Sequence, residues 1–492
     1  MKKLTLLTAA LLAGLVHGAP APKQSDYYTF TRVPIPADVS LEASGLAMLP
    51  NGKLAVSTRR GDIFTVSNPL GKADDMKLKL YASGLHEPIG IHWNDGWLYA
   101  TQRCEVTRIK DEDGDGRGDV FETVSDGWAI TGDYHEYAFG SQFDKDGNMW
   151  VVLCLTGSFN SNTPYRGWCV RVNKKGEMIP TASGIRSPGG IGLNHEGEVF
   201  YADNQGPWNG SSCIKHLTAG SFQSHPASYK WWNLPLVKKH MGPKPPVTPN
   251  SDSRIPKERA RVKEYVPPAC VLPHGKLGNS TSGFAFASND KFGPFKNQLL
   301  VSDQSHSNVS RVILEKVNGV YQGAAILFMT GFGSGNIPSF YHESGALFVG
   351  GSDRGWGARG GKRFALDRVN WTGKVPFEVH EMRAKSDGFE LTFTHEIDPK
   401  TAGDVASYSM KAWTYILRAQ YGSPEVDHAT PKILSATVAK DNRSVRLKIE
   451  GLVKGHVHHL ISNGVRSKAG LPLLHPNAFY TLNEIPAKLI RK

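Results

Sequence analysis

Short runs of alternating apolar and polar residues, separated by glycine-containing turns, recur along most of the chain. One unit repeats six times: a turn of small residues, an apolar stretch, a second turn, then an alternating strand. The copies are SGLAMLPNGKLAVST from Ser44, PIGIHWNDGWLYATQ from Pro88, YAFGSQFDKDGNMWVVL from Tyr137 and PGGIGLNHEGEVFYADN from Pro188. SGFAFASNDKFGPFKNQLLVSD from Ser282 and NIPSFYHESGALFVGGSD from Asn336 complete the series. Most follow one another at about 45–52 residues, the period of a four-stranded propeller blade. The pattern predicts an all-β fold, a six-bladed β-propeller over 27–370. After Trp371 the alternation in FELTFTHEID, KILSATVAK and SVRLKIEGL predicts a smaller β-sandwich over 371–492. Helical periodicity is sparse throughout.

The gap between the fourth and fifth copies is about twice the period. It holds a stretch, 238–264, with eight Lys or Arg and three Asp or Glu, just after Trp231 and Trp232. Two readings are open for it: a lid over the propeller mouth with aromatics for sugar stacking, or a solvated surface loop. It carries part of the formal net charge of +12. No nucleic-acid module accompanies that charge, so nucleic acid is not expected as a partner. With 492 residues, 40% hydrophobic, 52 Gly and 30 Pro, the chain is neither disordered, collagenous nor a coiled coil.

The N-terminus, MKKLTLLTAALLAGLVHGAPAP, has a basic start, a short apolar run and small residues with a cut after Gly18 or Ala19. This is the pattern of a signal peptide over 1–19, and it predicts a secreted or periplasmic protein. No later stretch suits a stable membrane span. Among the five cysteines, Cys154 and Cys169 are the expected disulfide pair, at the ends of one hairpin. No CxxC or CxxCH occurs, which excludes a zinc ribbon and covalent haem.

The densest chemical motif is DEDGDGRGDVFE. Asp111, Asp113, Asp115, Asp119 and Glu122 fall at positions 1, 3, 5, 9 and 12 of a calcium-loop template, with Gly116 at the sharp turn and the Arg117 carbonyl at position 7. So many acids at this spacing repel one another unless a hard cation such as Ca²⁺ sits among them. Flanking helices are not evident, so the site reads as a structural calcium loop between strands. No GxSxG elbow, HExxH or Walker loop occurs. Trp208, Trp356, Arg354 and Asp353 follow strand-like runs where propeller loops line a mouth. Together they offer a carbohydrate-binding reading; taken singly, each reads as a packing or surface residue.

Two further segments, GDYHEYAFGSQFDKDGNMWV and SGIRSPGGIGLNHEGEVFYADNQGPWN, contain His135, Arg186 and the tripeptide Gln205-Gly206-Pro207. In order and spacing they resemble the soluble quinoprotein glucose and aldose-sugar dehydrogenases. These are six-bladed propellers using pyrroloquinoline quinone (PQQ) and Ca²⁺. The resemblance spans about residues 40–370 and is carried by those two segments. The segments FTHEIDPKTAGDVASYSM and HHLISNGVRSKAGLPLLHPNAFYTL resemble bacterial Ig-like appended domains. The first resemblance implies an oxidoreductase of aldoses or related alcohols, with a small-molecule or glycan substrate and a separate electron acceptor. His135 would be the base for the sugar hydroxyl and Arg186 would stabilise charge on the quinone. Ser187, in place of the family's usual Asn, and Gln205 would contact the cofactor. Arg311 and, more weakly, Lys291 would hold its carboxylates, and the Gly206 and Pro207 carbonyls would hold Ca²⁺. The family also has an Asp that orients the catalytic His. Here that region reads VVLCLTGSFN, without an acid, leaving Asp133 or Glu136 as substitutes. The alternative is a carbohydrate- or protein-binding propeller that has lost the redox chemistry. A lyase or hydrolase would need paired carboxylates at the mouth, and no clear pair is visible.

Overall fold

The apolar half and the alternating half of every repeat pair as an antiparallel hairpin. In the first copy, Leu46 faces Val56 and Met48 faces Leu54. The computed structural model describes residues 22–250 and 253–487. The leader expected over 1–19 lies outside the described residues.

Six sheets are built on these hairpins. Ala43–Met48, Leu54–Thr58, Ile63–Ser67 and Lys77–Ala82 form the first. Ile91–Asn94, Trp97–Thr101, Val106–Lys110 and Val120–Ser125 form the second. Ala138–Phe143, Met149–Leu153, Trp168–Val172 and Met178–Ser183 form the third. The fourth contains Pro188–Leu193, Val199–Asp203, Cys213–His216 and Pro268–Val271. The fifth contains Thr281–Phe286, Leu299–Asp303, Asn308–Val317 and Val320–Met329. In the sixth, Asn336–Tyr341, Leu347–Ser352 and Phe364–Trp371 are completed by the N-terminal strand Tyr28–Arg32, which closes the circle.

The first strand of each sheet packs against the first strand of the next, and the sixth returns to the first. The small residues of the repeat allow this close approach. A Cβ on Gly90 would stand 2.2 Å from the Gly140 carbonyl oxygen, and one on Gly283 would stand 2.4 Å from that of Ile337. The first strand bulges near its start in five of the six sheets, which twists the strand ends apart at that face. That face carries the candidate site.

The expansion between the fourth and fifth repeats is not a lid. The described residues of 217–250 and 253–267 run outside the ring, adding Ser221–Phe222 to the third sheet and packing the helices Pro235–His240 and Ile255–Arg261 on its outer surface. Trp232 stacks against Trp168, with ring centres 5.3 Å apart, so it belongs to the core. Trp231 donates to Ser161 at 2.7 Å. The basic residues are partly neutralised by Arg254–Asp427, Arg259–Glu484 and Arg261–Glu258.

The C-terminal strands form two layers. One is a separate sheet in the order Val379–Lys385, Gly388–Phe393, Ser444–Glu450, Lys432–Val438. The other, Asn477–Leu482, His456–Ile461, Ser409–Thr414 and Val426–Ala429, continues the fifth propeller sheet. Ala324 pairs with Tyr480 across that junction. Ile313, Ala324 and Ile326 are buried in the same apolar core as Phe389, Leu447 and Tyr480. The two units share one sheet and one core, a continuity that strand periodicity alone does not reveal.

The expected disulfide is absent. All five cysteines are free thiols. Cys169 lies opposite Val152, so Cys154 is offset from it by two residues along the neighbouring strand. The Cys154 thiol instead faces the Arg186 carbonyl at 3.6 Å. Among the described residues no helix is long and apolar enough to cross a membrane.

Candidate functional site

A cavity of about 270 Å³ opens at the face where the inner strands begin. His135, Arg186 and Ser187 line it together, beside Arg59, Arg354 and Trp356. A larger cavity of about 430 Å³, lined mainly by the inner strands, occupies the other end of the central channel. Ile89, Phe139 and Ile337 border both and form the waist between them.

His135 precedes the inner strand of the third sheet, on a loop held by buried polar groups. The Arg166 guanidinium is fully buried and donates to four main-chain carbonyls, those of Ala129, Glu136, Tyr137 and Arg103, at 2.8–3.0 Å. Burial lowers its pKa to about 10, against the opposing pull of the Glu136 carboxylate. Asp133 accepts from the His135 and Gly157 amides at 2.8 and 2.9 Å. Glu136 accepts from the Thr156 hydroxyl at 2.5 Å and from the Thr131 amide. Both acids proposed as orienters of the imidazole therefore fix the loop, and neither holds the ring.

The ring lies among aromatics. Tyr134, Trp356 and Tyr137 have ring centres 4.2, 5.4 and 6.1 Å from it. Among the described residues no hydrogen bond to the imidazole is present. Desolvation lowers the His135 pKa; Arg186 and Arg59 push the same way, and Asp133 opposes them. These surroundings favour the neutral form of the ring.

Arg186 is 3% exposed. Its guanidinium donates to the carbonyls of Ser158, Asn204 and Gln205, at 3.3, 3.4 and 2.7 Å. The Tyr421 ring covers it, 5.0 Å from Cζ. Among the described residues no carboxylate pairs with it, whereas Arg59 is paired with Glu87 and Arg354 with Glu42. Among the described residues no Asp or Glu lines the cavity, so they set no carboxylate pair of the glycosidase kind there. Ser187 is anchored by its amide, which donates to Asp203 at 2.9 Å. Asp203 is itself buried and paired with Lys215.

The donor set expected for Ca²⁺ at the mouth does not fit. The Gly206 carbonyl accepts from the Asn209 amide at 3.1 Å, closing a tight turn with the reverse bond at 2.8 Å. A Cβ on Gly206 would lie 2.1 Å from Arg186 Cζ, so a guanidinium already packs against this residue. Placing a divalent cation against that charge is repulsive. Gln205 does not line the cavity; its side chain donates to the Gly210 carbonyl at 3.2 Å and packs on Gly422.

Arg311 and Lys291 are not at the mouth. Arg311 is fully buried between Phe295 and Phe328. It donates to Gln298 at 2.7 Å and to the Val379 carbonyl at 2.9 Å, joining the propeller to the C-terminal sheet. Lys291 sits beside Gly345, in the turns at the opposite end of the ring. The cations that do reach the cavity with Arg186 are Arg59 and Arg354. Both stand just after a strand; that position marks Arg354 and Trp356 in the sequence, while Arg59 goes unmarked there.

The acidic loop lies at the turn between the third and fourth strands of the second sheet. Carboxylate oxygens of Asp111, Asp113 and Asp115 come within 4.8 Å of one another. Asp119 instead accepts from the amides of Glu112 and Asp113, and Glu122 pairs with Arg108 at 2.5 Å. The Arg117 amide donates to Asp115 at 2.7 Å. Three of the expected ligands thus converge and the other acids are engaged elsewhere.

The family model described as a domain of unknown function (DUF7133) matches residues 59–325. No curated protein matches the sequence. Among solved structures, a carbohydrate-active enzyme of family AA12 from Trichoderma reesei is similar with a TM-score of 0.50 and 12% identity, over 72% of this chain and 98% of the other. The PQQ-bound aldose sugar dehydrogenase of Streptomyces coelicolor gives 0.49 and 15%, over 70% and 98%. The holo PQQ domain of pyranose dehydrogenase from Coprinopsis cinerea gives 0.48 and 13%, over 72% and 99%. At these identities the likeness is one of fold, a β-propeller.

Proposed function

The chain belongs to the family of the domain of unknown function DUF7133, and on that footing we propose that it is an exported oxidoreductase of sugars or sugar-like alcohols that works with a quinone cofactor. One observation carries this reading. A neutral imidazole and three arginines converge on one cavity that no carboxylate lines.

Oxidation of a sugar C1 hydroxyl removes a proton and a hydride. His135 takes the hydroxyl proton, the role its lowered pKa prepares it for. PQQ supplies the hydride acceptor when bound. Arg59, Arg186 and Arg354 are the cations that line the cavity and could meet a planar polyanion. A separate acceptor would return the electrons. The calcium of this reading belongs to Asp111, Asp113 and Asp115, at a distance from the chemistry, and not to Gly206 and Pro207. The N-terminal leader supports a secreted or periplasmic location.

The test is titration of the mature protein with PQQ, followed by dye reduction with a panel of aldoses. We expect micromolar or tighter binding and turnover that His135→Ala abolishes. Because the active form is the neutral ring and its pKa is lowered, the acid limb of the rate profile should fall below 6.5, the ordinary histidine value. A second reading, a sugar-binding propeller without redox chemistry, is favoured by the absence of any group orienting the His135 ring. Sugar binding without PQQ binding would establish it and overturn the first.

A further inference from the structure

Among the described residues, eight large hydrophobic side chains are exposed. Four of them surround this one cavity: Tyr134 at 52%, Trp356 at 43%, Phe159 at 48% and Tyr421 at 58%. Scattered single apolar residues on a surface need no explanation, but a ring of aromatics around one opening does. The four form two pairs. Tyr134 and Trp356 flank His135, with ring centres 6.2 Å apart. Phe159 and Tyr421, also 6.2 Å apart, form the other pair, with Tyr421 over Arg186. No ring of one pair contacts a ring of the other.

Tyr421 comes from the C-terminal unit, and its loop is tied down along its length. The Leu417 amide donates to the Ser253 carbonyl at 3.0 Å, and the Trp208 amide to the Arg418 carbonyl at 2.7 Å. The Ala419 amide donates to Asn250 at 2.8 Å, and the Ser423 amide to the Gly210 carbonyl at 3.1 Å. Arg418 closes the loop on the Gly422 carbonyl at 3.1 Å. An exposed tyrosine on a loop held this firmly is a preorganised contact surface, because its ordering entropy is already spent.

We propose that the mouth takes a saccharide of two or more linked rings, and that Tyr421 with Phe159 forms a stacking platform for a ring other than the one facing His135. Pyranose rings carry C–H faces that lie against aromatic faces, while their hydroxyls need donors and acceptors at the edges. Both are present: two separate aromatic pairs, with Ser187 and Gln304 among the polar residues that line the same cavity. The C-terminal unit is then a specificity element of the site. This inference rests on the reading that the mouth takes a sugar, and it does not depend on redox chemistry.

The experiment is calorimetric titration of the cofactor-free full chain with two series, from one ring to six. These are glucose with its β-1,4-linked oligomers, and galacturonic acid with its α-1,4-linked oligomers. In one series the affinity should rise about three- to tenfold as the second ring is added, the size of one aromatic stacking contact. Tyr421→Ala should bring the ratio of oligomer to monomer affinity towards one, and Tyr421→Phe should keep it. A flat response to chain length in both series, or a ratio that Tyr421→Ala leaves unchanged, would overturn the inference while leaving a sugar site at His135. If no sugar of either series binds the wild-type chain, the sugar reading of the mouth falls, and this inference with it.

Discussion

His135 and Arg186 show how a residue type acquires chemistry from its surroundings. Spacing brings both to the same face, but the lowered pKa of His135 comes first from desolvation among Tyr134, Trp356 and Tyr137. Arg186 owes its setting to a residue without a side chain. Gly206 leaves room for the guanidinium, and an added methyl would fall 2.1 Å from Cζ. Gly206→Ala should therefore move the Arg186 head off its carbonyl partners. Overpacking of this kind costs about 1–3 kcal/mol, readable by denaturant titration. PQQ affinity should fall about tenfold or more, as for loss of a charged hydrogen bond. Unchanged PQQ binding in that variant would mean that Arg186 does not meet the cofactor. Arg311 teaches the converse: a strand arginine can look like a ligand for carboxylates and instead be a buried tie between units.

Among elements, the inner hairpins were the most legible, because both their strands and their turns follow from local rules. The strands alternate, the turns carry Gly, and each copy repeats the pattern. The acidic loop was legible in part. Its spacing brings Asp111, Asp113 and Asp115 together, yet Glu122 is drawn away by Arg108 across the hairpin, a pairing that register sets. Ca²⁺ should stabilise the fold relative to chelator by about 2.7 kcal/mol at one hundred times the dissociation constant, read as a raised unfolding midpoint. Asp113→Asn should remove most of that gain. A midpoint indifferent to Ca²⁺ would leave the loop as a turn held by its own amides. Of the two readings open for the basic insertion, the lid does not hold and the surface position does, and composition alone leaves both open because it reports charge and not the side of the ring on which a segment lies. Its apolar residues, Val237, Ile255 and Val262 among them, took it to the outside of the third sheet.

For the molecule as a whole, the decisive contact is the pairing of Val320–Met329 with Asn477–Leu482. It joins the propeller to the C-terminal layers and brings the Tyr421 loop to the mouth. A chain ending after Thr372 would expose that strand edge together with Ile313 and Ile326, each worth about 1.5–3 kcal/mol of burial. It should unfold at lower temperature than the full chain and self-associate in size-exclusion chromatography, as an uncovered edge does. A truncated propeller as stable and monomeric as the full chain would show that the shared core contributes little. By itself the sequence determined the all-β class, the repeated inner hairpins, the change of pattern after Trp371 and the candidates His135 and Arg186. All of these depend on periodicity and near-neighbour spacing. Only the tertiary structure decided that Arg59, Arg354, Trp356 and Tyr421 share their cavity, that Gly206 serves a guanidinium in place of a metal, and that Arg311 is core. Those facts depend on contacts between residues far apart in the chain, whose partners are chosen by ring closure and sheet register, and neither leaves a local mark in the sequence.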